Sequence, residues 1–441
     1  MSYADATAQL FSMMPELSVL PGQPRRKFSL SEVRSLLEAL GSPEKNFPAV
    51  LIAGTNGKGS TASSLASILH TAGYRTGLYT SPHLTRVNER IRIGNIDIAD
   101  EDFAHHFFRV KEAADRLVVA GTLPQPPSFF EVITALAFSF FSEQKVEIAV
   151  LEVGMGGRLD ATNVVEPILS VITDISLDHT EWLGPDLYSI AREKAGILRP
   201  AKPAITLPQQ PEVDRGIGEI CQAVRAVAVS ALPFLPPQKA EDSYPLQMMG
   251  EGISVHSPLH GEHQHRNLAL ALAAVDQMGA LGFSRLNARV IEEGIAATRW
   301  PGRLEKIERN GQRWILDVAH NPAGAEALRS GLRATMRDNL LPVLVFSCLR
   351  DKPLTELAQI LFPLFRKIVL APIHSQRATS LDVLRETAKA FGEDAVVSTS
   401  VEEALQCARQ IAGAEEVVVS GSVYLVGEVR SILLAGEVYR Q

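Results

Sequence analysis

The chain has 441 residues, 46% of them apolar and 21% charged. That is the balance of a soluble globular protein too long for one ordinary core, so two domains are expected. Lys and Arg number 43 against 50 Asp and Glu, a net charge of −7 that gives no sign of a basic face for nucleic acid.

Cys221, Cys348 and Cys407 lie far apart with no CxxC spacing, which fits reduced thiols in a cytoplasmic protein rather than a disulfide framework. The start Met1-Ser2-Tyr3-Ala4-Asp5-Ala6 lacks a charged segment followed by an apolar one, so no signal peptide is expected. No apolar run reaches the roughly 18 residues needed to span a bilayer, and no membrane partner is expected.

In chain order, the first strong element is the apolar run Ala49–Ala53. It is followed by Gly54-Thr55-Asn56-Gly57-Lys58-Gly59-Ser60 and then by the helical stretch Thr61–Leu69. This reads as strand, glycine loop, helix. Glycines let several backbone N–H groups converge on one concavity, where a helix N-terminus adds its positive end. Lys58 would add a mobile point charge for outer phosphates, so the loop suits a nucleoside triphosphate. The general pattern G-x-x-x-x-G-K-[ST] is met only in part: Ile52 stands at its first glycine, and Gly59 replaces the hydroxyl, with Ser60 one place later. An ordinary βα turn, with glycines that only permit close packing, is the other reading of these residues.

Short β-branched runs then alternate with helical patterns, which predicts α/β layers around a largely parallel sheet. Strands are expected at Val50–Ala53, Thr76–Tyr79, Glu147–Val153, Ile168–Asp174 and Pro203–Leu207, with a buried core helix at Phe129–Phe141. Between about 208 and 260 the pattern weakens around Pro233, Pro236, Pro237 and Pro245, and a small β region or loop-rich insert is expected. Helices return at Gly261–Met278 and Leu286–Ala297. Trp300-Pro301-Gly302-Arg303 breaks the pattern and predicts a boundary, with domains at 1–298 and 299–441. Beyond it, Trp314–Val318, Val343–Cys348, Lys367–Ala371, Ala395–Ser398 and Glu416–Ser420 read as strands alternating with helices.

Active residues in such sheets gather at the carboxyl ends of strands. Glu152 ends a strongly apolar strand and is followed by Gly154, Gly156 and Gly157. An acid there is costly unless something positive compensates it. A hard cation such as Mg²⁺ would do so, with the Ser81 hydroxyl of Thr80-Ser81-Pro82-His83 as a second oxygen. An ion pair with Arg158 is the structural alternative. His179 reads either as an unusual nitrogen ligand or as a turn histidine bonded to backbone. The charges of Arg192-Glu193-Lys194 fit a solvated helix end. Asp317-Val318-Ala319-His320 again ends a strand with an acid and a histidine, and two such clusters, one per domain, suggest a cleft between domains.

Together these motifs resemble one family. Gly54–Ser60, Thr80–His83, Leu151–Asn163, Leu177–Thr180, Arg192–Ile197, Pro301–Arg303 and Asp317–Pro322 occur in the order seen in folylpolyglutamate synthases, whose bacterial members often act as dihydrofolate synthases too. The similarity runs from about residue 25 to the Ser420–Glu428 stretch, and the wider kin are the Mur ligases. The resemblance implies a P-loop-type, mainly parallel sheet ATPase domain followed by a smaller Rossmann-like α/β domain.

By the same resemblance, Asn56, Gly57, Lys58, Gly59 and Ser60 hold ATP phosphates, and Ser81, Glu152 and His179 match magnesium ligands. Lys194 matches a lysine that is carbamylated, and a carbamate turns its cation into an anion. Asn267, Arg303 and Asp317 match residues around the nucleotide, with His320 in the same motif as Asp317. Lys58, Lys194 and His320 are the expected catalytic groups. Phe28-Ser29-Leu30, Ser128-Phe129-Phe130-Glu131 and Leu159-Asp160-Ala161 correspond to pteroate-contacting segments; an aromatic pair suits a flat pterin, although two phenylalanines on a helix are commonly plain core.

The expected activity is ATP-dependent ligation of L-glutamate to dihydropteroate and to reduced folates through an acyl phosphate, with ATP and Mg²⁺, in a monomer. Three other readings stand beside it. They are a folylpolyglutamate synthase alone, a Mur-type cell-wall ligase, and a nucleotide-binding protein without ligase activity.

Overall fold

The computed structural model describes residues 2–13, 29–237, 243–335 and 341–435. The chain forms two compact units. The first takes the chain up to Ser81, Val87–Pro258 and Arg266–Thr298, and the second takes Pro82–Arg86, Leu259–His265 and the chain from Arg299 on.

The first unit is built on strands β1 (Ala49–Ala53), β2 (Thr76–Tyr79), β3 (Ile91–Ile93), β4 (Ile96–Asp97), β5 (Ile148–Glu152), β6 (Pro167–Ile172), β7 (Pro203–Thr206) and β8 (Val227–Ser230). They form one sheet in the order β4-β3-β2-β5-β1-β6-β7-β8. The strands from β2 to β8 in that order pair in parallel, while β3 and β4 add an antiparallel edge. The central strands are apolar along their whole length because both faces are covered. On β1 the alternation is plain: Ala49, Leu51 and Ala53 pack into one core with Phe130 and Phe138. Val50 and Ile52 pack into the other, with Leu65, Ile68 and Leu272.

The weakly patterned stretch after 208 is more regular than a loop-rich insert. Pro211–Val224 is a helix, followed by edge strand β8 and an antiparallel hairpin of β9 (Ser243–Met248) and β10 (Glu251–His256). Pro211 occupies the first helical turn, where its missing N–H costs nothing, and Glu212 and Asp214 suit the helix N-terminus. Val213, Ile217 and Cys221, spaced four apart, bury one face.

The second unit carries β11 (Glu305–Arg309), β12 (Gln312–Leu316), β13 (Val343–Phe346), β14 (Lys367–Leu370), β15 (Val396–Val397) and β16 (Val417–Ser420). Their order is β11-β12-β16-β13-β14-β15, parallel except for β11. β11 escapes the sequence pattern, because Glu305-Lys306-Ile307-Glu308-Arg309 offers one apolar side chain and reads as solvated. As an antiparallel edge it needs no more. No helix among the described residues is long and apolar enough to cross a membrane.

Candidate active site

Register brings the strand-end residues of the first unit to one edge of the sheet. Tyr79 pairs with Leu151, Ile52 with Glu152 and Ala53 with Ile172. The chain leaving β2 (Ser81), the end of β5 (Glu152), the glycine loop after β1 and the Thr173–Asp174 segment after β6 therefore lie side by side. From β1 the chain passes to β2 and β5 on one side and then to β6, β7 and β8 on the other, so the strand order switches direction at β1. The carboxyl end of the strands at such a switch point is where open α/β sheets bind ligands.

The glycine loop is held in a shape that only glycine allows at two points. Gly54 has φ +153, and a Cβ there would sit 1.8 Å from Thr173 Oγ1. Gly57 has φ +87, and its Cβ would sit 2.0 Å from Asn267 Oδ1. The helix Lys58–Thr71 starts directly after Gly57, and its first intrahelical bond is Thr61 N–H to Gly57 O (2.9 Å). The N–H groups of Lys58, Gly59 and Ser60 therefore fall in the first turn, where no intrahelical acceptor exists. Ser60 Oγ is buried with no hydrogen-bond partner. Lys58 Nζ donates to Thr55 O (3.0 Å). This is a cradle of donors suited to an anion with several oxygens.

Glu152 is 4% exposed, and its Oε2 accepts the Ser81 N–H (3.1 Å). His179 has φ +51 and immediately precedes the helix Thr180–Leu183; its Nε2 lies 3.9 Å from Asp178 Oδ2. Arg158 forms a two-pronged pair with Glu193 (3.1 and 2.9 Å). Among the described residues no three His, Cys, Asp or Glu side chains cluster around a common point. A cation beside Glu152 would have that carboxylate and the neighbouring Ser81 hydroxyl as donors, with His179 as the nitrogen ligand the resemblance implies and water and phosphate oxygens completing its shell. That donor set fits Mg²⁺, which keeps waters and favours oxygen.

Lys194 is not a solvated helix end. It is 5% exposed on the helix Leu187–Ala195, and its Nζ donates to Gly54 O (2.7 Å). Burial first, and the nearby Lys58 second, pull its amine down to about 7, against the smaller opposite pull of Asp178 and Asp160.

Of the remaining expected residues, Ser128 and Glu131 form a reciprocal capping box at the start of the helix Phe129–Glu143. Phe130 is buried in the core, while Phe129 is half-buried, stacks on Phe11 (5.9 Å) and lies under Arg90 (5.1 Å). Asp160 accepts from Met155 N, Thr162 N and Thr162 Oγ1, so it organises its own loop, with Leu159 half-buried and Ala161 buried beside it. Burial raises its carboxyl, against those bonds. Ser29 caps the helix that begins at Leu30. Phe28 lies outside the described residues.

Asn267 lies on the helix Glu262–Ala280, and its carbonyl accepts from Thr61 Oγ1 (3.2 Å). In the second unit, Asp317 follows β12 and accepts from Leu304 N and Ala319 N (2.9 Å each). Burial raises its carboxyl and the neighbouring Arg303 opposes this. His320 Nδ1 lies 2.8 Å from Val318 O, which makes that nitrogen the donor. Sequence reasoning did not single out Thr173, Asp174, Ser176 or Arg266 as residues that shape the glycine loop. The one available signal was a Thr-Asp pair at the end of an apolar strand.

Two family descriptions match the chain: "Mur ligase middle domain" over residues 52–275 and "Mur ligase, glutamate ligase domain" over 302–423. The chain is 36% identical over 440 residues to the dihydrofolate synthase/folylpolyglutamate synthase of Mycobacterium tuberculosis, covering 92% of this chain and 90% of that one. It is 33% identical to the Bacillus subtilis protein of the same name, over 98% and 99% of the two chains. Its fold matches the Escherichia coli FolC structure in complex with DHPP and ADP at a TM-score of 0.84, with 30% identity and 99% of both chains covered. With both descriptions in sequence and the likeness running its whole length, the chain belongs to the dihydrofolate synthase/folylpolyglutamate synthase family of Mur ligases.

Proposed function

We propose that this chain is an ADP-forming amide ligase that adds L-glutamate to dihydropteroate, giving dihydrofolate, and to folates, extending their polyglutamate tail. The observation that carries the reading is the glycine loop beside Glu152, with the first-turn N–H groups and the unpartnered Ser60 hydroxyl converging where phosphates would lie. Relatives that cover the chain almost end to end carry both activities in their names.

A carboxylate does not form an amide unaided, because its oxygen is a poor leaving group. Transfer of the ATP γ-phosphoryl group to it gives an acyl phosphate. The glutamate amine attacks that carbonyl carbon, and the tetrahedral intermediate expels phosphate. The loop Asn56–Ser60 holds the phosphates, and Lys58 offsets charge on the group in transfer. Ser81, Glu152 and His179 would hold Mg²⁺, which when bound neutralises phosphate charge. Asn267, Arg303 and Asp317 keep the nucleotide roles that the family resemblance gives them, and His320 remains the catalytic group expected in the same motif as Asp317. Segments 28–30, 128–131 and 159–161 are assigned to the pteroate.

Lys194 takes its place through its buried amine. With its proton affinity lowered, a neutral nitrogen is available at neutral pH to attack CO₂; it loses a proton and becomes a carbamate anion. The enzyme acts as a cytoplasmic monomer.

The test is ADP release measured in a coupled assay. Release should require both a pteroate acceptor and L-glutamate. ADP production that ignores both would contradict a ligase and leave a simple nucleotide hydrolase, and no ADP at all would leave a nucleotide binder.

A further inference from the structure

The loop that follows β1 has no regular structure of its own, yet its glycines leave it little latitude. Its shape is copied from the neighbouring segment Thr173–Ser176. One carbonyl, that of Asp174, accepts both the Thr55 N–H (2.9 Å) and the Asn56 N–H (3.1 Å). Thr55 Oγ1 donates to Ser176 O and accepts from Ser176 N (3.1 Å each), and Asn56 Nδ2 donates to Ser176 Oγ (3.2 Å). The template is itself a coil, so something must hold it.

Its main anchor is Arg266. The guanidinium meets the Asp174 carboxylate in a planar fork, Nε to Oδ2 at 2.8 Å and Nη2 to Oδ1 at 2.6 Å, and Nη2 also reaches Pro208 O (3.2 Å). Gln209 ties the same segment from the other side, accepting from Ile175 N (2.7 Å) and donating to Thr173 O (3.3 Å). Arg266 is the residue before Asn267, which walls Gly57 and receives Thr61. Two consecutive residues of one long helix thus grip the glycine loop, Asn267 directly and Arg266 through Asp174.

We propose that Arg266, acting through Asp174, is a positioning residue that sets the backbone of the glycine loop for nucleotide binding; this rests on the ligase reading above. The pair is about a third exposed at both ends, and pairs so placed add little to global stability. Its use is therefore geometric. A bidentate fork fixes the rotation of Asp174 as well as its position, and with it the direction of the carbonyl that receives Thr55 and Asn56. A lysine at 266 would keep the charge and lose that constraint.

The test uses the full chain and Mg-ADP as the probe, with binding followed by calorimetry for wild type, Arg266→Lys, Asp174→Asn and the double variant. Each single variant is expected to weaken Mg-ADP about tenfold, and the double variant no more than the weaker single, because the two side chains act as one unit. KM for ATP should rise while KM for L-glutamate stays put, with the thermal midpoint within about 2 °C of wild type. Additive losses, or wild-type affinity in Arg266→Lys and Asp174→Asn, would overturn the proposal. Wild-type protein that fails to bind Mg-ADP at all would instead overturn the ligase reading beneath it.

Discussion

The Lys194 side-chain nitrogen lies 2.7 Å from the Gly54 carbonyl oxygen, so a buried amine from the helix Leu187–Ala195 touches the first residue of the glycine loop. Both burial and Lys58 work against its protonation. Folding lowers its proton affinity from the ordinary value near 10.5 to about 7, so the neutral amine gains population as pH rises through 7. After CO₂ is stripped from the enzyme, activity should return when CO₂ is restored, and at equal dissolved CO₂ the return should be about tenfold faster at pH 8 than at pH 6. Lys194→Met should show no return. Recovery that is independent of pH, or full activity in Lys194→Met, would remove the carbamate from the account.

Glu152 ends β5 beside the glycine loop and is almost fully buried. Glu152→Gln keeps the shape and an acceptor for the Ser81 N–H while deleting the charge. Turnover at saturating substrates should fall at least about a hundredfold, with circular dichroism and the thermal midpoint little changed. The Mg²⁺ concentration for half-maximal rate should rise in whatever activity remains. An unchanged Mg²⁺ requirement would contradict the metal role.

Gly57→Ala meets two obstacles at once, a φ of +87 and a contact 2.0 Å from Asn267 Oδ1. The backbone must shift or Asn267 must leave. Denaturant unfolding should show a loss of about 1–3 kcal/mol. Mg-ADP binding should weaken by more than that shared stability loss accounts for, because the first-turn donors move with the backbone.

His106 offers a pH test away from the site. Its ring is buried, Nδ1 lies 2.9 Å from Ser139 Oγ, and Phe140 packs edge-on at 5.6 Å. Burial, more than the opposing Glu143 carboxylate, pulls it from the ordinary 6.5 to about 4. The folded state therefore prefers the neutral ring. Its contribution is fully present above pH 6.5 and is lost as pH falls toward 4, by up to about 3 kcal/mol. Urea midpoints measured from pH 7 to pH 4.5 should drop less in His106→Gln than in wild type.

Much of this arrangement is legible in the sequence, and physical reasons separate what is from what is not. β1, β5, β6, β13 and β16 announce themselves because parallel strands covered on both faces must be apolar throughout. The helix Pro211–Val224 hides behind Gln209-Gln210-Pro211 and two glycines, and its identity rests on three apolar residues spaced four apart. β8 and β11 lie at sheet edges, where burial no longer writes the pattern. In the first unit, Lys58 after β1 and Glu152 at the end of β5 can be read as chemistry, and so can Asp317 after β12 in the second. Burial of Lys194 cannot, since Arg192-Glu193-Lys194 looks solvated until the helix is placed. The walls of the glycine loop, Thr173 and Asn267, belong to other elements, and only the fold brings them to Gly54 and Gly57.

The most direct measurement is mass spectrometry of products from Mg-ATP and L-glutamate, with dihydropteroate and tetrahydrofolate offered in separate tubes. A glutamyl increment on both acceptors is the predicted result. An increment on neither, with the nucleotide still bound, would contradict the proposed ligase.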